Sequence, residues 1–178
     1  MRSTIDGSVV ESRYDSILMG LTPDIRTASV AWYRDAERFA ESLTVIRPDW
    51  TVEIAASVVS ALSPRERWES NKAKALTFAQ GGTIRGLGAN LRRAHAATRE
   101  GFAALRGPKT AAFARAIAGD SDAVVIDTWM LKPLDKRSVT SAQYGIIASA
   151  VVRCAERVNL TPREAQAAIW IIARGRAE

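Results

Sequence analysis

Cys154 is the only cysteine in the chain, which excludes an internal disulfide and any four-cysteine zinc or iron–sulfur site. His95 is the only histidine, which leaves no histidine-rich metal site and argues against a Ser-His-Asp triad. No apolar run approaches the length of a membrane-spanning helix, and charges and glycine interrupt residues 1–15, so neither a transmembrane segment nor a secretory leader is expected. There is no internal repeat and no linker long enough to divide domains. The expectation is a soluble, cytoplasmic protein that needs neither metal nor cofactor and does not act at a membrane.

What the chain does carry is apolar mass and positive charge. Across 178 residues, 47% are hydrophobic and five are tryptophan, enough to bury a core and to exclude a disordered tail. Its 25 Lys and Arg against 19 Asp and Glu leave a formal charge of +6, a balance that favours a polyanionic partner such as nucleic acid.

Helix punctuation dominates the pattern. Thr22-Pro23, Ser63-Pro64 and Thr161-Pro162 each place a capping hydroxyl before a proline at the first helical position, where the missing N–H is no loss. Ser63 and Thr161 are followed three residues on by Glu66 and Glu164, the spacing of a capping box. Helices are thus predicted over 23–46, 64–79 and 162–174, with Thr51 capping another. A basic helix carrying Arg92, Arg93 and Arg99 follows a glycine-punctuated loop, and further helices are expected over 109–118 and 140–158. Only Val124–Ile126 reads as strand-like, too short for a sheet. The predicted fold is all-α: a loose arm over residues 1–15, then one compact multi-helix domain over 16–178.

Two polar residues stand out. Lys109 follows Gly107-Pro108, in the first turn of a helix whose exposed N–H groups suit an anion and whose dipole opposes an ammonium. That field favours a nucleophilic amine; a solvated lysine is the plain alternative. Asp127 ends the apolar run Val124–Ile126. Its plain role is an N-cap for a helix over 128–134, and a partly dehydrated carboxylate there can also stabilise a cation or move a proton.

Taken together, G-P-K-T-A at Gly107–Ala111 and D-T at Asp127-Thr128, with 18 positions from Lys109 to Asp127, resemble the helix-hairpin-helix DNA glycosylase superfamily, the endonuclease III group in particular. That group reads L-P-G-V-G-x-K-T-A and then V-D-T-H. Ala61-Leu62-Ser63 and Asn71-Lys72-Ala73 are similar to its L-S-x-Q and V-N-K-A. The hairpin is two residues shorter here, Trp129 stands where the family has histidine, and the cluster cysteines are absent. The resemblance implies a cluster-free DNA N-glycosylase, with an AP-lyase step in bifunctional members, acting on a base swung out of double-stranded DNA.

By that resemblance Asp127 is the catalytic carboxylate and Lys109 the Schiff-base nucleophile. Gly107 and the amides after it, Thr110 included, match the phosphate-gripping hairpin, and Arg106 adds positive charge for DNA just before it. Ser63 and Arg65 lie where that family projects residues into the gap left by the extruded base; Arg65, Arg67 and Lys72 flank Trp68, cations beside an aromatic, and with Asn71 are the further expected DNA contacts. An ordinary solvated basic face with Trp68 in the core is the alternative for that stretch. Two further functions stay open: a transferase modifying an extruded base, which requires a small-molecule donor, and a non-enzymatic helical DNA-binding protein. An enzyme of this kind needs Lys109 and Asp127 to face one cleft.

Overall fold

The computed structural model describes residues 5–86 and 88–175, and every regular element among them is helical. Two compact units result: residues up to Tyr33 with those from Asp120 onward, and Arg34–Gly119. None of the described helices is long and apolar enough to cross a membrane.

The first unit opens with a helix where a loose arm is expected. Residues 1–4 of the expected loose arm lie outside the described residues, but the rest is ordered: Asp6 caps helix α1 (Gly7–Leu18), its carboxylate accepting the Ser8 N–H. Val10, Tyr14 and Leu18 recur at one-turn spacing and are buried. What reads as a polar segment is an amphipathic helix whose apolar stripe needs a partner. That partner is α8 (Ser141–Arg157), with α9 (Pro162–Arg174) beside it. Thr140 and Thr161 both close complete capping boxes, with Gln143 and Glu164. The core joins Tyr14, Met130, Ile147, Val151, Cys154 and Ile169. Cys154 is a buried small hydrophobe, as its apolar neighbours imply, and burial pushes its thiol up to about 11.

Glu11 and Asp15 of α1 reach Arg153 and Arg157 of α8. The hydrogen bond from Arg153, then that from Arg157, holds the Glu11 carboxyl below its ordinary value of 4.5. A depressed acid stabilises the folded state above its unfolded value and loses that contribution as pH falls through the lower, folded one. Thermal melting should therefore weaken progressively below pH 4.5, and Glu11→Gln should flatten that acid limb. An unchanged limb in the variant rejects the assignment.

Helix α2 (Pro23–Ile46) starts where predicted, Thr22 Oγ1 accepting the Ile25 N–H. In the second unit α3 (Val52–Leu62), capped by Thr51, is buried at every position from Ala55 to Leu62. A helix apolar on all sides must be surrounded, and α3 is packed by α4 (Trp68–Ala79), α5 (Gly88–Glu100) and α6 (Pro108–Ile117). Buried alanines on both sides, Ala55 and Ala56 on α3, Ala94 and Ala97 on α5, permit close approach.

The predicted capping box at Ser63 does not form. Ser63 instead ends α3, its hydroxyl donating to Ser60 O, and the Glu66 N–H closes a turn onto Ser63 O. Arg65 takes a left-handed φ of 68°, and α4 starts only at Trp68. Glu66, the expected capping partner, pairs with Lys74 and accepts from Ser70. The hydroxyl could serve one helix end, and the end of the longer-buried α3 takes it.

Candidate functional site

The first unit fixes Asp127 from three sides. Val124, Val125 and Ile126 are buried but form no strand, so their backbone groups need other partners. The Tyr144 hydroxyl serves two of them, donating to Val124 O at 2.8 Å and accepting from Ile126 N at 3.0 Å. Burial pushes this phenol up to about 12, so it holds both bonds as a neutral hydroxyl. Directly after this clamp comes α7 (Thr128–Leu131), capped by Asp127 as expected: Oδ1 accepts from Trp129 N at 2.9 Å and Met130 N at 3.1 Å. Tyr14, from the segment first read as a loose arm, anchors the same turn by donating to Met130 O at 2.7 Å.

The other carboxylate oxygen, Oδ2, accepts the indole N–H of Trp170 at 3.0 Å. A carboxylate offers about four acceptor positions, and among the described residues these three donors leave one on Oδ2. Asp127 is only part-buried, so that position is within reach of a ligand. Trp170 also stands 6.1 Å from Trp32, and the Arg174 guanidinium lies over its ring at 4.6 Å. Chemically this is a positioned anion, pre-oriented by neutral donors and flanked by aromatic surface, suited to a developing positive charge. Trp170, Tyr144 and Tyr14 have no local signal as partners of Asp127. They come from helices 43, 17 and 113 positions away from Asp127 along the chain.

The second unit holds Lys109. A single 3₁₀ turn, Gly101–Ala104, leads to buried Leu105, exposed Arg106 and Gly107. Gly107 has φ 87° and no atom within 4 Å of a would-be Cβ, so the backbone turns freely here as only glycine does without strain. Pro108 opens α6, and the first helical bond runs from Ala111 N to Gly107 O, leaving the Lys109 and Thr110 amides ahead of it. The Thr110 hydroxyl donates back to Arg106 O and Gly107 O, and Thr110 O accepts from Ser60 of α3. Thr110 therefore braces the turn, while Lys109 is exposed. Asp127 belongs to the first unit and Lys109 to the second.

Beside this turn lies an open groove of about 400 Å³. Arg92 and Arg93 of α5 and Arg106 line it, over alanines that include Ala96 and Ala103, with Glu100 the one acidic residue among the described lining.

The Ser63–Lys72 stretch is divided. Arg65 and Arg67 are exposed and remain available to a ligand. Ser63 is half-buried and spends its hydroxyl on α3. Lys72 pairs with Glu69 at 2.7 Å and lies over Trp68. Trp68 packs between Phe39 and Phe113, with ring centroids 6.1 and 6.3 Å away, which ties the start of α4 to α6. Asn71 is corrected outright as a surface contact. It is 1% exposed, and its Nδ2 donates to Val59 O at 3.2 Å, near the end of α3 where the Ser63 N–H turns to Ser60 O instead. Asn71→Ala should lower unfolding stability by about 1–3 kcal/mol through the stranded carbonyl, read by chemical denaturation, and should leave unchanged whatever DNA binding the folded protein shows. Full stability with weakened DNA binding would restore Asn71 as a contact.

His95 is exposed and packs edge-on against Phe78 at 4.9 Å. No group of three or more His, Cys, Asp or Glu among the described residues could hold a metal ion.

An all-helical protein with a braced carboxylate and a separate arginine-lined groove is the class these features define. Residues 7–177 match DUF7178, a family of unknown function, and the chain belongs to that family. Neither the curated proteins nor the solved structures offer a match.

Proposed function

We propose that the chain is a DNA N-glycosylase with AP-lyase activity, working on a damaged or modified base extruded from duplex DNA. The observation that carries this is the state of Asp127: part-buried, fixed by two backbone amides and one indole, with a single acceptor position left open. A carboxylate held this way needs no reorganisation when charge develops on a nearby sugar.

In the proposed reaction the bond from C1′ to the base nitrogen breaks, and the base leaves with the electron pair. Asp127 balances the positive charge spread over C1′ and the ring oxygen. The Lys109 amine bonds C1′, and as the C1′–O4′ bond breaks a proton passes from the nitrogen to O4′, leaving an open-chain Schiff base. Loss of a C2′ proton then expels the 3′ phosphate and cuts the strand. Extruding the base costs a few kcal/mol, which contacts to the DNA backbone must return.

The test is a panel of duplexes carrying damaged or modified bases, scored for abasic sites and for borohydride-trapped adducts. Release from at least one substrate is expected. A second reading, a non-enzymatic DNA-binding protein, draws on the fact that all three of these Asp127 bonds also serve helix capping or packing. Binding across the whole panel with neither product would favour it.

A further inference from the structure

We propose that the groove of Arg92, Arg93 and Arg106 grips the phosphodiester backbone of a nucleic-acid strand independently of base sequence. The proposal rests on the DNA-binding half of the function above, not on base release. Residues 89, 92, 93, 96 and 100 fall at helical spacing along one face of α5, and all of them line the groove. The opposite face, with Asn90, Ala94 and Ala97, is buried. The outward stripe from 89 to 100 is about 16 Å long at 1.5 Å per residue. Duplex DNA presents one phosphate per strand about every 3.4 Å of axis, so the stripe can meet several at once.

Charge and shape agree with this ligand. No described carboxylate pairs with Arg92, Arg93 or Arg106, whereas Arg13, Arg38, Arg47, Arg153 and Arg157 are all ion-paired. Guanidinium is permanently charged and its planar donors fit phosphate oxygens. The alanine floor lets a backbone come close, and an open volume near 400 Å³ is larger than a lone phosphate requires. Among the described residues no aromatic ring lines the groove, so none of them stacks on bases or selects them.

The experiment is fluorescence anisotropy with a labelled 20-mer duplex, its single strand and a duplex of unrelated sequence, each across a salt series. All three should bind the full chain. Replacing Arg92, Arg93 or Arg106 with Gln should weaken duplex binding and flatten the log K against log salt slope by about 0.9 each. Ala96→Glu, which keeps every arginine, should weaken it too, so a misfolded arginine variant does not decide the matter. Arg38→Gln, at an arginine paired with Asp35, is the control for bulk charge.

Losses no larger than that of the control, or full competition by inorganic phosphate at equal ionic strength, overturn the proposal. If groove variants lose binding while the parent chain releases no base from any substrate, base excision falls and the groove stands. If base release is found and the groove variants keep the parent's salt slope, the groove alone falls.

Discussion

Asp127→Asn should lower base release by about 10²–10⁴-fold while the first unit stays folded and DNA affinity changes little. The reason lies in the two oxygens. In the variant the remaining oxygen takes over the part of Oδ1, which accepts from Trp129 and Met130, and asparagine is as good an N-cap as aspartate. The new amide nitrogen replaces Oδ2 and faces the Trp170 indole, donor against donor, so that single bond is lost. A stability cost of about 1 kcal/mol follows, small beside the loss of the charge proposed to balance a sugar cation. Asp127→Ala separates the roles further, removing the cap for about another 0.5–2 kcal/mol. Single-turnover base release, anisotropy and thermal melting together read these effects. An Asp127→Asn protein that excises at the parent rate ends the assignment.

Lys109→Gln should reduce borohydride-trapped adducts to background while abasic sites still accumulate, because water can replace the amine in base release but not in the Schiff base. The stability effect has the opposite sign to that at Asp127. Lys109 is exposed at the start of α6, and removing a cation from a helix N-terminus relieves about 0.3–1 kcal/mol. The variant should melt at or slightly above the parent temperature, so lost trapping cannot be blamed on unfolding. Continued trapping would move the nucleophile to another amine.

Much of the local architecture was legible because helix ends are written in short-range chemistry. Thr51 and Thr161 cap the predicted helices, Asp127 caps the turn after it, and α2 runs over the predicted residues. The same rule misplaced the start of α4: at Ser63 two helix ends lie within reach of one hydroxyl, and the local pattern does not say which receives it. Residues 7–15 misled for a different reason. Their polar residues are conspicuous, while Val10 and Tyr14 acquire meaning only against α8 and the turn after Asp127.

The amino-acid sequence by itself determined an all-helical, basic protein and singled out Asp127 and Lys109, since composition, capping and spacing are properties of neighbouring residues. Only the tertiary structure decided that Tyr14, Tyr144 and Trp170 brace the Asp127 region, that Asn71 is buried, and that Arg92, Arg93 and Arg106 share one groove. Those relations join residues on different elements, and burial or convergence of that kind is set by which helix faces pack together, which no local window contains.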